Sequence, residues 1–282
     1  MIVFAVAYGR GAREAARAAA THRDGLMGEC GLLDRPVTGR WASPAGRAAV
    51  VWAAHRPEQL GGADPVTTQN GRLALVAGRP ILWEADDRAD GRSAIDPATY
   101  LGPPGDWAPR LDGRGAVLVA GDGRLDLVGD PAGAYPLFEA RAAGVRWYSG
   151  SAELLCRICG SRTVDETALA GMLGGGWPLG GDPVWAAVRR LPAGTQLTLE
   201  GDRRTTRQPV MAAAATARLD GAGWDAERAA AVLVGAVRAL ADWPGRPSVV
   251  PVTGGRDSRV ILAAALAAGI PFTAATGGAP GE

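Results

Sequence analysis

Apolar and polar positions along the 282-residue chain follow two regimes that meet near residue 205. Up to that point short β-type runs are separated by Gly, Pro and Asp turns: "IVFAVAY", "RAAVVWAA", "RLALVAGRPILW", "GAVLVAG", "RLDLVGD", "VRWYSG" and "TQLTLEGD". Helical spacing interrupts them twice. "GAREAARAAATHRDGL" predicts one helix, and "SAELLCRICG" followed by "VDETALAGMLGGG" predicts the other helical stretch, with Asp165 as an N-cap and Glu166 in the first turn. Residues 1–205 therefore read as one α+β domain.

Residues 206–223, "TRQPVMAAAATARLDGAG", are small and without period, which predicts a linker. From 224 the character changes. "WDAERAAAVLVGAVRALADW" places Val232, Leu233, Val237 and Leu240 at helical spacing, so one apolar face is expected to pack on a sheet. "PSVVPV" reads as a strand covered on both faces, as in a parallel sheet. A helix and then "IPFTAAT" complete a βαβ unit, the opening of a second domain over 224–282.

Composition narrows the chemistry. Thirty basic residues stand against 29 acidic ones, so nothing favours a nucleic-acid backbone or an anionic membrane as partner. Every basic residue is arginine, which removes lysine-dependent mechanisms such as a Walker-type loop. The first residues, "MIVFAVAYGRGAR", lack the basic start and cleavage site of a signal peptide, and no run reaches the ~18 apolar residues of a membrane span. A cytoplasmic protein is expected. Cys30, Cys156 and Cys159 then read as reduced thiols, the last two as a structural pair one helical turn apart.

The strongest chemical signal is "VPVTGGRDSRVIL", in which a strand turns through Thr253, Gly254, Gly255, Arg256, Asp257 and Ser258 into a helix. A helix start offers unpaired N–H groups and a partial positive charge, which suits phosphate. Glycines let the backbone approach such a ligand, and Thr253 and Ser258 add hydroxyls. A carboxylate beside phosphate requires a cation between them, so Asp257 would hold Mg²⁺. The alternative is that Asp257 or Ser258 only caps the helix.

The T-G-G-R-D-S sequence resembles the S-G-G-x-D-S pyrophosphate loop of the asparagine synthetase family, a branch of the ATP pyrophosphatases. The likeness extends upstream. "LALVAGRPILW" resembles the family's L-A-L-V-F-N-G-E-I-Y-N, "GDPAGAYPLFEA" its R-D-x-x-G-x-x-P-L-Y-Y, and "RWYSGSAELLCRI" its F-A-S-E-L-K-A-L. "VDETALAGML" is similar to I-D-x-x-A-L-x-x-Y-L, and "VWAAVRRLPAGTQLTL" to T-L-F-x-G-I-x-K-L-P-P-G-x-x-L-x-L. The resemblance implies an α+β N-terminal glutaminase-like domain of the Ntn type, a layered β-sheet sandwich. It further implies that the start of an α/β ATP-pyrophosphatase domain, adenine nucleotide α-hydrolase-like, follows.

Departures from the family pattern redirect the expected activity. Glutamine-hydrolysing members carry a nucleophilic cysteine at position 2, where this chain has Ile2. Ala77 stands where the family has its oxyanion-holding asparagine, in a segment that reads Ala77, Gly78, Arg79, Pro80, Ile81, Leu82. A glutaminase is not expected. Synthetase-like chains with a dead glutaminase domain resemble β-lactam and carbapenam synthetases and the macrolactam synthetases of lasso peptides, in which an amine of the same substrate attacks an adenylated carboxylate.

The resemblance then implies ATP and Mg²⁺, with Thr253, Gly254, Gly255 and Ser258 on the leaving pyrophosphate and Asp257 on the metal. Arg256 either touches phosphate or points to solvent, and Pro251 and Ala274 fall near positions whose main chain meets the adenine. Catalytic residues are expected downstream of residue 282, so the chain is expected to be a part of a longer enzyme, or a truncated one, that does not complete catalysis. The implied substrate is a precursor peptide that closes on itself, with a leader-peptide-binding protein and a leader peptidase as partners. A small amino acid derivative is the alternative substrate, and a non-catalytic scaffold the alternative function.

Overall fold

All seven residues of β1 (Ile2–Tyr8) are buried, because the strand lies between two apolar layers. The computed structural model describes residues 2–30, 36–56, 64–83, 91–93, 95–176, 181–207, 225–241 and 248–276. Ile2, Phe4, Val6 and Tyr8 point into the core between two sheets, while Val3, Ala5 and Ala7 point the other way, towards helix α1 (Ala12–Cys30). Two-residue alternation explains both faces of this continuous run. Small residues meet small residues on the helix side, where Ala12, Ala16 and Ala19 recur on one stripe of α1.

β1 is central to a six-stranded sheet with β2 (Val37–Ala42), β3 (Ala48–Ala54), β9 (Phe138–Ala142), β10 (Val145–Ser149) and β11 (Val188–Arg190), in the order β11-β9-β10-β1-β3-β2. The second sheet runs β13-β12-β8-β7-β5-β4, from β4 (Val66–Gln69), β5 (Arg72–Trp83), β7 (Leu111–Ala120), β8 (Arg124–Gly129), β12 (Gln196–Glu200) and β13 (Arg203–Arg207), and β6 (Gly91–Ser93) pairs with β5. Every pairing in both sheets is antiparallel. These are the layered antiparallel sheets expected of the first domain. Helices α1 and α3 (Ala152–Cys159) cover the outer face of the first sheet.

Several elements depart from the sequence expectation. A 3₁₀ turn at Pro97–Tyr100 and the short helix α2 (Pro104–Trp107) add helical structure beyond the two expected stretches and cover the second sheet with Tyr100 and Trp107. Pro at the start of each turn supplies the helical φ without costing a hydrogen bond. Thr206 and Arg207, expected in the linker, complete β13. The rest of that linker, 208–223, lies outside the described residues. Helix α4 (Glu166–Gly175) is N-capped by Asp165 as expected, its side chain accepting from the Ala168 N–H, yet none of its residues is buried.

The C-terminal segment forms the expected βαβ unit: β14 (Ser248–Pro251), helix α6 (Arg256–Ala268) and β15 (Phe272–Ala275), with β14 and β15 parallel. Its strand is not covered on both faces. Val249 is 63% exposed and only Val250 is buried, because two strands with one crossover helix shield one side of the pair at most. Helix α5 (Ala226–Ala241) precedes it and also differs from expectation in its packing stripe. Val232, Ala236 and Ala239 meet Ile81 and Trp83 of the N-terminal domain, while Leu240 stays 40% exposed. Smaller side chains win this contact because they let the helix approach the strand closely.

One pH response follows from the core. Burial raises the phenol pKa of Tyr8, Tyr100, Tyr135 and Tyr148, all four tyrosines of the chain. A raised folded-state pKa means that the neutral phenols stabilise the fold fully below the unfolded value of about 10 and progressively less above it, where the unfolded chain alone ionises. Urea midpoints are expected to fall from pH 9 to pH 11, with Tyr135→Phe showing a smaller fall. A flat profile across that window would contradict the burial of these rings.

Candidate functional site

The loop between β14 and α6 is organised by its two hydroxyls. Ser258 Oγ lies 3.0 Å from Thr253 Oγ1 and accepts from the Thr253 N–H at 3.1 Å. It also lies within donating distance of the Thr253 and Gly255 carbonyls, at 3.1 and 3.2 Å. The Gly255 N–H donates to Thr253 Oγ1 at 3.2 Å. The six residues 253–258 thus close into a small ring in which the hydroxyls hold the turn. The sequence expectation gives both hydroxyls to a ligand, with Ser258 as a helix cap for its alternative.

Gly255 is the N-cap of α6, in an extended conformation at φ −72°, and no side chain caps this helix. Gly255 has no side chain with which to cap the helix, and Ser258 instead bonds back across the loop to Thr253 and to the Gly255 carbonyl. The first-turn N–H groups, which have no carbonyl within the helix, stay directed out of its end with the positive end of the helix dipole. Asp257 sits in that turn, exposed, and none of the loop's hydrogen bonds uses its carboxylate. Arg256 is exposed as the first helical residue, and Arg259 Nε donates back to the Gly255 carbonyl at 3.3 Å.

Of the two glycines only Gly254 stands where the fold leaves the space above it open. A Cβ on Gly254 would meet nothing within 4 Å, and one on Gly255 only Thr253 Oγ1 at 3.3 Å. Pro251 ends β14, and Ala274 lies beside Val250 on β15, one position before the partner of Pro251. The structure thus brings Pro251, Ala274 and residues 253–258 together at the carboxyl ends of two parallel strands, where α/β sheets place their ligands. A carboxylate, uncapped N–H groups and open space above glycine fit a magnesium-bridged polyphosphate.

The second region of interest surrounds Ile2 and Ala77, the positions that the resemblance aligns with a glutaminase site. Ile2 is only 4% exposed and belongs to the core between the sheets, and Ala77 is fully buried there. Gly78 adopts φ +80°, and a Cβ there would come within 3.1 Å of the Tyr135 ring. A Cβ on Gly150 would lie 2.4 Å from the Tyr135 hydroxyl. The phenol therefore fills the space between two glycines, one of them next to Ala77. It is held by the preceding turn, where the buried Asp130 carboxylate accepts from the Ala134 and Tyr135 N–H groups at 2.9 and 2.8 Å. Nothing in the sequence pattern links Tyr135 to Gly78 and Gly150, which the fold alone brings together.

Among the described side chains, Cys156 and Cys159 take no part in either region. Cys156 is buried and donates to the Ser161 carbonyl at 3.0 Å, and burial raises the pKa of both Cys156 and Cys159. A raised pKa keeps a thiol protonated and unreactive. The side chain of Cys30 lies outside the described residues.

No protein-family model matches this sequence, and no curated protein does. Among solved structures, an allosteric regulatory enzyme of purine biosynthesis is similar over 97% of this chain and 65% of its own, at 13% identity and a TM-score of 0.45. The glutamine phosphoribosylpyrophosphate amidotransferase of B. subtilis, complexed with ADP and GMP, is similar over the same shares at 13% identity and a TM-score of 0.44. The chain spans just under two thirds of the length of either structure. Likeness at this level carries no information on substrate or activity. No helix among the described residues is long and apolar enough to cross a membrane.

Proposed function

We propose that this chain belongs to an ATP-dependent enzyme that forms amide bonds, with residues 253–258 as its pyrophosphate site. The observation that carries the reading is the loop geometry: a helix start at a glycine without a side-chain cap, Gly254 facing open space, and an exposed Asp257 that no loop hydrogen bond uses. Such a site stabilises the negative charge that builds on a leaving pyrophosphate. Asp257 is the residue that would hold Mg²⁺, which shields that charge while the nucleotide is bound.

The reaction in this reading joins a substrate carboxylate to the α-phosphate of ATP and releases pyrophosphate. An amine then attacks the acyl carbon, AMP departs, and the amine loses a proton as the amide forms. An amine supplied by the substrate itself is supported by Ile2 and Ala77, buried apolar residues that carry no nucleophile, and by Tyr135, which occupies the space between Gly78 and Gly150. We favour a peptide that closes on itself as a macrolactam over a small amino acid derivative.

Calorimetric titration with ATP, with and without Mg²⁺, tests the site. Binding that requires Mg²⁺ is expected, together with pyrophosphate release and a product lighter by one water when a precursor peptide is supplied to the whole enzyme. Absence of nucleotide binding would overturn the reading in favour of a non-catalytic scaffold.

A further inference from the structure

Strand β5 joins the two regions described above. Its first half lies in the sandwich core, and at Gly78 it meets β7 in a pinch of three glycines. Gly78 pairs with Gly115, and a Cβ on Gly78 would lie 2.3 Å from the Arg114 carbonyl oxygen. Gly113, at φ +82°, faces the Arg79 carbonyl in the same way at 2.7 Å, and a Cβ on Gly115 would lie 2.8 Å from the Ala77 carbonyl. Beyond the pinch β5 leaves β4 behind and pairs with β6, Ile81 opposite Ser93 and Trp83 opposite Gly91.

On this arm Leu82 packs with Leu111, Tyr100 and Trp107 of the sandwich, while Ile81 and Trp83, two residues apart on the other face, pack on α5. Trp83 is fixed in addition by its indole N–H, which donates to Asp112 Oδ2 at 3.1 Å. Helix α5 in turn packs along α6, the helix that starts at the phosphate loop. Ala239, on the side of α5 that meets Trp83, is fully buried, although α5 carries many exposed positions.

We infer that the arm of β5, through Trp83 and Ile81, holds α5 and with it the loop at residues 253–258, so that the N-terminal domain serves to position the nucleotide site. Trp83 is a positioning residue, acting through α5 and α6 rather than on a ligand. The domain's retained role is then mechanical, which gives a reason for a sandwich whose glutaminase position is filled by Tyr135. The link to nucleotide rests on the proposed function; the docking does not.

Hydrogen exchange on the whole chain separates the two. In Trp83→Ala, amides of α5 and α6 are expected to exchange at least about tenfold faster, with β1, β3 and β7 unchanged. Trp83→Phe, which keeps the apolar contact and loses the bond to Asp112, should restore most of the protection. Ala239→Glu attacks the same contact from α5 without touching the sandwich and should reproduce the Trp83→Ala pattern, which covers the case that Trp83→Ala does not fold. Exchange in α6 within twofold of the unmodified chain in the folded Trp83→Ala or Ala239→Glu protein would overturn the inference. Faster exchange in a chain that binds no ATP would leave the docking intact and remove only the nucleotide reading.

Discussion

Gly78→Ala is expected to destabilise the chain by about 3–5 kcal/mol, among the larger effects a single methyl group can have. Two costs add. Alanine at φ +80° adopts a conformation that disfavours any Cβ, worth about 1–3 kcal/mol. The new carbon would also stand 2.3 Å from the Arg114 carbonyl oxygen and 2.9 Å from the Gly115 Cα, both backbone atoms that move only if the β5–β7 pairing moves. Relief by shifting β5 would drag Ala77 and Leu82 out of the cores they occupy on either side. A urea midpoint close to that of the unmodified chain would contradict the pinch. Gly254 provides the contrast within the same molecule, since its Cβ position is empty space.

Asp257→Asn is expected to do the reverse: little to the fold and much to the site. The carboxylate is exposed, and at the first turn of α6 it contributes no more than about 0.3–1 kcal/mol through the helix dipole. Asparagine has the same shape but cannot neutralise a divalent cation held against phosphate. Magnesium-dependent ATP affinity and the rate of pyrophosphate release should fall by about 100-fold or more, with the thermal midpoint nearly unchanged. A variant that retained both within about threefold would show that Asp257 does not hold the metal. Equal loss with and without Mg²⁺ would also remove it from that role.

Period and punctuation made much of the fold legible before any coordinates. "IVFAVAY" reads as a strand because seven apolar residues without a break fit a strand between two layers, and β1 is one. "RLALVAGRPILW" reads as a single run and is the 12-residue β5. The loop at 253–258 was visible because strand, glycines and helix start follow one another within a few residues, so their proximity is covalent. β13 was less visible, since "RRTTR" is an edge strand whose polar side chains give no apolar alternation, whereas "FEARA" of β9 alternates but is only five residues long.

What the sequence by itself determined is local: which runs become strands, where α4 and α6 begin, and that positions 2 and 77 are apolar residues fit for a core. Only tertiary structure decided what fills the space between two distant glycines. Tyr135 reaches Gly78 and Gly150 from 57 and 15 residues away in the chain, a distance across which no periodic pattern carries information. It likewise decided that α5 rests on Ile81 and Trp83 through Val232, Ala236 and Ala239 rather than Leu240. A helix with several apolar positions can be docked on more than one stripe, and the shape of the partner surface makes the choice.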